Sequence, residues 1–217
     1  MYQKRQVMPK SWPIERKGTK YLAVASHAKN KGIPVVFILR EILGLVKTRK
    51  EARIICLNGE VKINGKIRRD EKFPVQVFDI IELEKIGKNY RLEIENKKFV
   101  LKEVSGKNSE RKIVKISGKK ILSKGIIQMN LEDGQNFIIK DRGFSIGDST
   151  IINTKENKIE KVLQLKEGAN VEIIAGKHAG ERGKLMKVEQ LERSKKYYIK
   201  LNEKEVELPG KTILVIE

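Results

Sequence analysis

The chain has 217 residues, with 47 Lys+Arg against 28 Asp+Glu and a formal net charge of +19. That length fits one large domain or two to three small ones; no uncharged run exceeds eight residues, where a membrane span needs roughly 18, and no apolar leader opens the sequence. A single Cys and two His exclude an internal disulfide and a four-ligand structural zinc site. The expectation is a basic cytoplasmic protein with no metal, cofactor, membrane or small-molecule partner, whose charge addresses a polyanion.

Residues 1–34 carry eight basic groups and one acidic group. Their apolar residues (Trp12, Pro13, Ile14, Tyr21, Leu22) follow neither a helical nor an alternating period. Such a segment reads as a basic arm without a core, ordering best against a polyanion. Lys10, Trp12, Arg16, Lys17 and Lys20 are its candidate nucleic-acid contacts.

Residues 35–85 form the first expected domain. Pro34 can open a helix over 35–43, with Gly44 as its stop. Thr48-Arg49-Lys50-Glu51 has the spacing of a capping box, and predicts a second helix through Ala52, Ile55 and Cys56 that ends before Asn58-Gly59. Val61 to Ile67 alternates around Asn64-Gly65, a strong two-residue hairpin signal. Phe73-Pro74 makes a turn, and Asp79 to Leu83 a further strand. Arg49 and Arg53 lie four apart on one helix face with Lys50 beside them, and Arg68 and Arg69 follow the hairpin. If the hairpin folds back on the helices, these five cations line one rim; Arg40 and Lys66 belong to the same candidate surface. A solvated face of weak ion pairs is the alternative.

Beyond residue 86 short alternating runs recur between turns: 90–94, 99–101, 112–116, 126–131, 136–139 and 149–152, then 171–175, 183–188, 196–201, 205–208 and 212–216. This spacing indicates small barrels or sandwiches, divided into a central β domain (86–165) and a C-terminal domain (166–217). The fold class is α+β, mostly β. In the last domain Gly176, Gly180 and Gly183 permit a tight loop and close backbone approach, with Lys177, His178, Arg182 and Lys184 around it. Gly183-Lys184 does not make a phosphate-binding P-loop, because His178 stands where Gly is needed and Leu185 where Ser or Thr would hold magnesium.

The run from Leu39-Arg40-Glu41 through Thr48–Arg53 to Val61–Asp70 resembles the S-four type RNA-binding domain, which presents two helices and a hairpin to structured RNA. Val171 to Leu185 resembles a KOW module, a small SH3-like β-barrel of translation and transcription proteins. Together with Pro9–Lys17, Gln128–Asn136 and Gly147-Asp148-Ser149, these motifs stand in the order of the S-four-e family of small-subunit ribosomal proteins, and resemble its archaeal type. Where that family has a Gly-Pro-His-type turn, this chain has Ser26 to Lys31. The resemblance implies a structural constituent of the small ribosomal subunit in translation. It would bind 16S-type ribosomal RNA through phosphate backbone and shape, beside neighbouring ribosomal proteins.

Enzymatic readings find less support. His27 and His178 have no carboxylate or Cys at a useful spacing, and a phosphate or base contact suits them better than catalysis. Cys56 reads as a small buried hydrophobe, and Asp133, Asp141 and Asp148, beside glycines, as turn carboxylates. Pseudouridine synthases that share the S-four domain use an Asp after Arg-Leu, and that tripeptide is absent here. An RNA-modifying enzyme docking through this domain is therefore the alternative, and a transcription factor with a KOW module a third reading.

Overall fold

The computed structural model describes residues 2–29, 31–122, 125–139, 143–190, 195–201 and 204–217; Asn30 and Asp141 lie outside them. The described residues form two compact units, 1–110 and 111–217, whereas the sequence alone divides the chain at 34, 85 and 165.

The first unit begins with an antiparallel pair, β1 (Tyr2–Lys4) and β2 (Tyr21–Ala23). The expected coreless arm has a core after all. Trp12 is 3% exposed; its indole tilts against Phe37 at 5.1 Å between centroids, and its Nε1–H donates to the Gly32 carbonyl at 3.2 Å. Leu22, Ala23, Val24 and Ala25 are buried too. Trp12 is thus an apolar anchor with its one polar atom satisfied, and is not available as an RNA contact.

β3 (Gly32–Pro34) pairs with β6 (Pro74–Gln76). The backbones approach so closely that a Cβ on residue 32 would lie 2.4 Å from the Val75 carbonyl oxygen, which reserves the position for glycine. After Pro34 the chain enters α1 (Val35–Phe37), which widens into a π-helical turn over Ile38–Ile42; Val35 to Leu39 are all buried. Gly44 follows at φ +63°, the left-handed conformation that ends helices.

α2 (Arg49–Leu57) starts as the capping signal predicts. Thr48 Oγ1 accepts from Glu51 N, and the Glu51 carboxylate accepts from the amides of Lys47 and Thr48. Those amide bonds, with the Thr48 hydroxyl, hold the Glu51 carboxyl below its ordinary range. Ala52 and Cys56 face inward, and burial pushes the Cys56 thiol up to about 12. β4 (Val61–Ile63) and β5 (Lys66–Ile67) flank Asn64 and Gly65 at φ +52° and +73°, the two positive values of a type I′ turn. β4 also pairs with β7 (Ile80–Leu83), which continues through β8 (Lys88–Glu95) to β9 (Lys98–Glu103), giving the order β5-β4-β7-β8-β9. Residues 88–103 thus extend the sheet of the first unit.

The second unit holds two antiparallel five-stranded sheets. In the first, β10 (Arg111–Ile121) is bent by a register shift between Ile116 and Gly118. It pairs over 111–115 with β13 (Ser149–Asn153) and over 116–121 with β11 (Ile127–Leu131). β12 (Asn136–Ile139) and β14 (Lys158–Leu163) close the edges, in the order β12-β11-β10-β13-β14. The second sheet is β18 (Lys204–Pro209), β17 (Lys195–Leu201), β16 (Arg182–Gln190), β15 (Asn170–Ile173) and β19 (Ile213–Val215). The sheets share a core: Ile151 and Leu163 of the first pack with Val171, Leu185, Ile199 and Val215 of the second. Buried Lys115 donates to the Ile213 carbonyl at 2.8 Å and to the Gly210 carbonyl, and Val215 N donates to Ser149 Oγ at 2.9 Å. Asp133 takes the Gln135 amide and the buried Lys112 ammonium, and Asp148 takes the amides of Ser145 and Leu165. The fold is α+β and mostly β.

Candidate nucleic-acid interface

α2 and the segment after the hairpin face each other across an open groove of about 560 Å³, lined by Arg49, Arg53, Leu57, Arg69, Asp70, Glu71 and Lys72. Arg49, Arg53 and Leu57 recur every fourth residue and share one helix face. The groove is not a bare cationic rim. Glu71, 5% exposed, lies at its base; Arg49 Nε donates to Glu71 Oε1 at 2.9 Å, and Arg53 Nε stands 3.8 Å from Oε2. The hydrogen bond to Glu71 is the main cause holding the Arg49 guanidinium above its ordinary pKa. Arg49 also donates to the Tyr2 hydroxyl and lies over its ring. One buried carboxylate therefore orients two guanidiniums, a fixed fork of donors suited to phosphate oxygens. Four cations stand against two carboxylates here, and the balance favours an anionic ligand.

The other candidates of this domain take different positions. Lys50 and Lys66 are exposed and outside the groove. Arg40 pairs with Glu41 at 2.7 Å and lies over Phe37. Arg68 turns onto the Phe73 ring. The rim expected to hold five cations thus keeps Arg49, Arg53 and Arg69, gains Lys72, and loses Lys50 and Arg68.

A second basic notch, about 510 Å³, is lined by Lys4, Arg5, Gln6 and residues 16–20, so that Arg16, Lys17 and Lys20 do come together. Arg5 organises it, donating to the Thr19 carbonyl at 2.7 Å, to Thr19 Oγ1 at 3.0 Å and to the Glu15 carbonyl. Lys10 is exposed elsewhere on the arm. The part played by Arg5, Glu71 and Lys72 escapes the sequence pattern. The Asp70-Glu71 pair set inside the basic run 66–72 was the one available signal for Glu71.

In the second unit the glycine loop forms as expected, with φ +98° at Gly176 and +91° at Gly180; a Cβ on Gly183 would lie 2.4 Å from the Lys200 carbonyl oxygen. Its cations divide into paired and open. Arg182 Nε donates to buried Glu172 at 2.7 Å, and His178 Nδ1 lies 3.1 Å from Glu181. Lys177 and Lys184 are exposed, and Lys184 sits directly across the strand pair from Lys200. Like charges face to face repel, a cost that an anion shared between them would relieve.

Two helices and a hairpin around a cationic groove, joined to small β-sheets, define an RNA-binding protein of the S-four type: residues 37–81 match the S4 domain, and residues 86–159 match the ribosomal family S4e. Among curated relatives, the small ribosomal subunit protein eS4 of Methanosphaera stadtmanae is 40% identical over 196 residues, covering 88% of this chain and 81% of its own. The Archaeoglobus fulgidus eS4 is 36% identical over 189 residues, covering 85% and 79%. The crystal structure of 30S ribosomal protein S4e from Thermoplasma acidophilum superposes with a TM-score of 0.74 at 28% identity, over 87% of this chain and 96% of that one. The chain belongs to the small ribosomal subunit protein eS4 family.

Proposed function

We propose that this chain is a structural constituent of the small ribosomal subunit, holding 16S-type ribosomal RNA through its phosphates and folded shape beside neighbouring ribosomal proteins in the cytoplasm. An A-form RNA helix hides its base edges in a deep, narrow groove and displays phosphates and 2′-hydroxyls outside, so a rigid cationic surface reads form rather than sequence. The observation that carries this reading is the groove in which buried Glu71 orients Arg49 and Arg53 opposite Arg69 and Lys72. The arm notch and the Lys177 and Lys184 side chains supply further phosphate contacts. Sedimentation decides it: the native protein travels with small ribosomal subunits through a high-salt gradient. Release into the soluble fraction, or co-sedimentation with RNA polymerase, would refute the assignment.

A further inference from the structure

Arg68 stands apart from the groove. Its guanidinium carbon lies 4.3 Å from the Phe73 ring centroid, and its Nε is buried with no hydrogen-bond partner among the described residues. No carboxylate of the described residues pairs with it. The Nε atom is closed to solvent, and the part of the half-buried guanidinium that an anion can reach is its outer N–H groups.

His27 touches the same ring. Its exposed imidazole sits edge-on to the same Phe73 ring, 5.0 Å between centroids at 71°, and its Nδ1 lies 3.2 Å from Ser26 Oγ. The loop is fixed there, because Ser26 donates through both N and Oγ to the Lys72 carbonyl, at 3.0 and 3.4 Å. One phenyl ring therefore holds a stacked guanidinium and an imidazole together. Stacking fixes the orientation of the intrinsically planar N–H fork, ready for phosphate oxygens.

We propose that Arg68 and His27, joined through Phe73, form a phosphodiester site distinct from the Arg49–Arg69 groove, in which His27 binds as imidazolium and RNA binding takes up a proton. This rests on the ribosomal RNA reading above. The charged groups of the two segments that meet here are Arg68, Arg69, Asp70, Glu71 and Lys72 behind the imidazole, and Lys29 and Lys31 in its own loop. Glu71 is committed to Arg49 and Arg53, Asp70 accepts the Lys72 amide, and His27 Nδ1 meets Ser26 Oγ rather than a carboxylate; in this site a phosphate is the anion that faces the imidazole. A phosphate beside an imidazole favours its protonated form, and affinity must then rise as pH falls. Between about pH 5.5 and 7.5 histidine is the residue type suited to such proton uptake; this chain has two, His27 and His178, and the second serves as the control.

The test uses the full chain and transcribed Methanosphaera stadtmanae small-subunit ribosomal RNA, with affinity measured at fixed salt at the two ends of that range. The unmodified protein and His178→Gln bind about fivefold more tightly at the acid end, whereas His27→Gln shows no such gain. Arg68→Lys keeps the charge and loses the stacked fork, and binds about tenfold more weakly at both ends; melting curves confirm that both variants fold. A His27→Gln protein that keeps the pH dependence, or an Arg68→Lys protein that binds like the parent, overturns the site. An unmodified protein that binds tightly with no pH dependence defeats this inference alone, while one that fails to bind the RNA at all defeats the ribosomal reading and this site with it.

Discussion

Arg49 and Glu71 are 22 residues apart in sequence and joined in the fold, Arg49 Nε donating to Glu71 Oε1 at 2.9 Å. This bond ties α2 to the segment after the hairpin and sets the width of the groove. In Glu71→Ala two guanidiniums lose their carboxylate. Discounted for the partial exposure of Arg49, the expected loss of stability is about 1–2 kcal/mol, read from the urea midpoint of the full chain.

Arg53 and Arg69 are exposed and line the same groove. Replacing both by Ala removes two phosphate contacts. The slope of log affinity against log salt for ribosomal RNA should then flatten by about 1.5, with thermal stability little changed. An unaltered slope would place the RNA elsewhere on the domain.

Glu93 is 2% exposed, with Arg91 Nε at 2.8 Å and Lys102 Nζ at 3.0 Å. Burial alone would raise its carboxyl; hydrogen bonds from Arg91 and Lys102, and their charge, bring it below the ordinary 4.5. A carboxyl lowered in the folded state stabilises above that ordinary value and loses its contribution as pH falls through the folded one. Glu93→Gln should therefore be less stable at neutral pH and show a shallower loss of stability in acid, measured by urea titrations at several pH values.

Lys115 Nζ donates into the Gly210 and Ile213 carbonyls, and burial lowers its pKa from 10.5. Lys115→Met leaves the Ile213 carbonyl without this donor, while the Gly210 carbonyl keeps the Ile213 amide, and should cost the second unit about 1–3 kcal/mol at neutral pH. In alkali the folded protein releases this proton before the unfolded chain does. Stability linked to Lys115 therefore rises with pH up to about the ordinary lysine value, a gain that Lys115→Met lacks.

Local signals carried furthest in the sequence. The Thr48/Glu51 cap, the Asn64-Gly65 turn and the alternation of Ile127, Met129 and Leu131 each encode an element within a few residues, and each appears in the fold. β1, β2, β3 and β6 are three residues long and exist through partners far along the chain, so no local period announces them. β14 escapes for another reason: as an edge strand it carries Lys158, Glu160 and Lys161, whose charges interrupt the apolar alternation that marks a strand. Trp12 joins the core through Phe37 and Gly32, 20 or more residues away. Three cations of the groove, Arg49, Arg53 and Arg69, were legible because side-chain type alone supplies charge; Lys72 joins them only through the fold. Which of them are bound by Glu71, and that Arg68 turns to Phe73, depends on tertiary contacts.

The shared core of the second unit also constrains how the protein is made. Strands 111–121 and 149–163 have their last apolar neighbours and hydrogen-bond partners in residues 210–215. During vectorial synthesis the first 110 residues can settle as a body of their own. The residues that follow must wait as a nascent chain, with Ile151 and Leu163 uncovered, until residues 210–215 have been made.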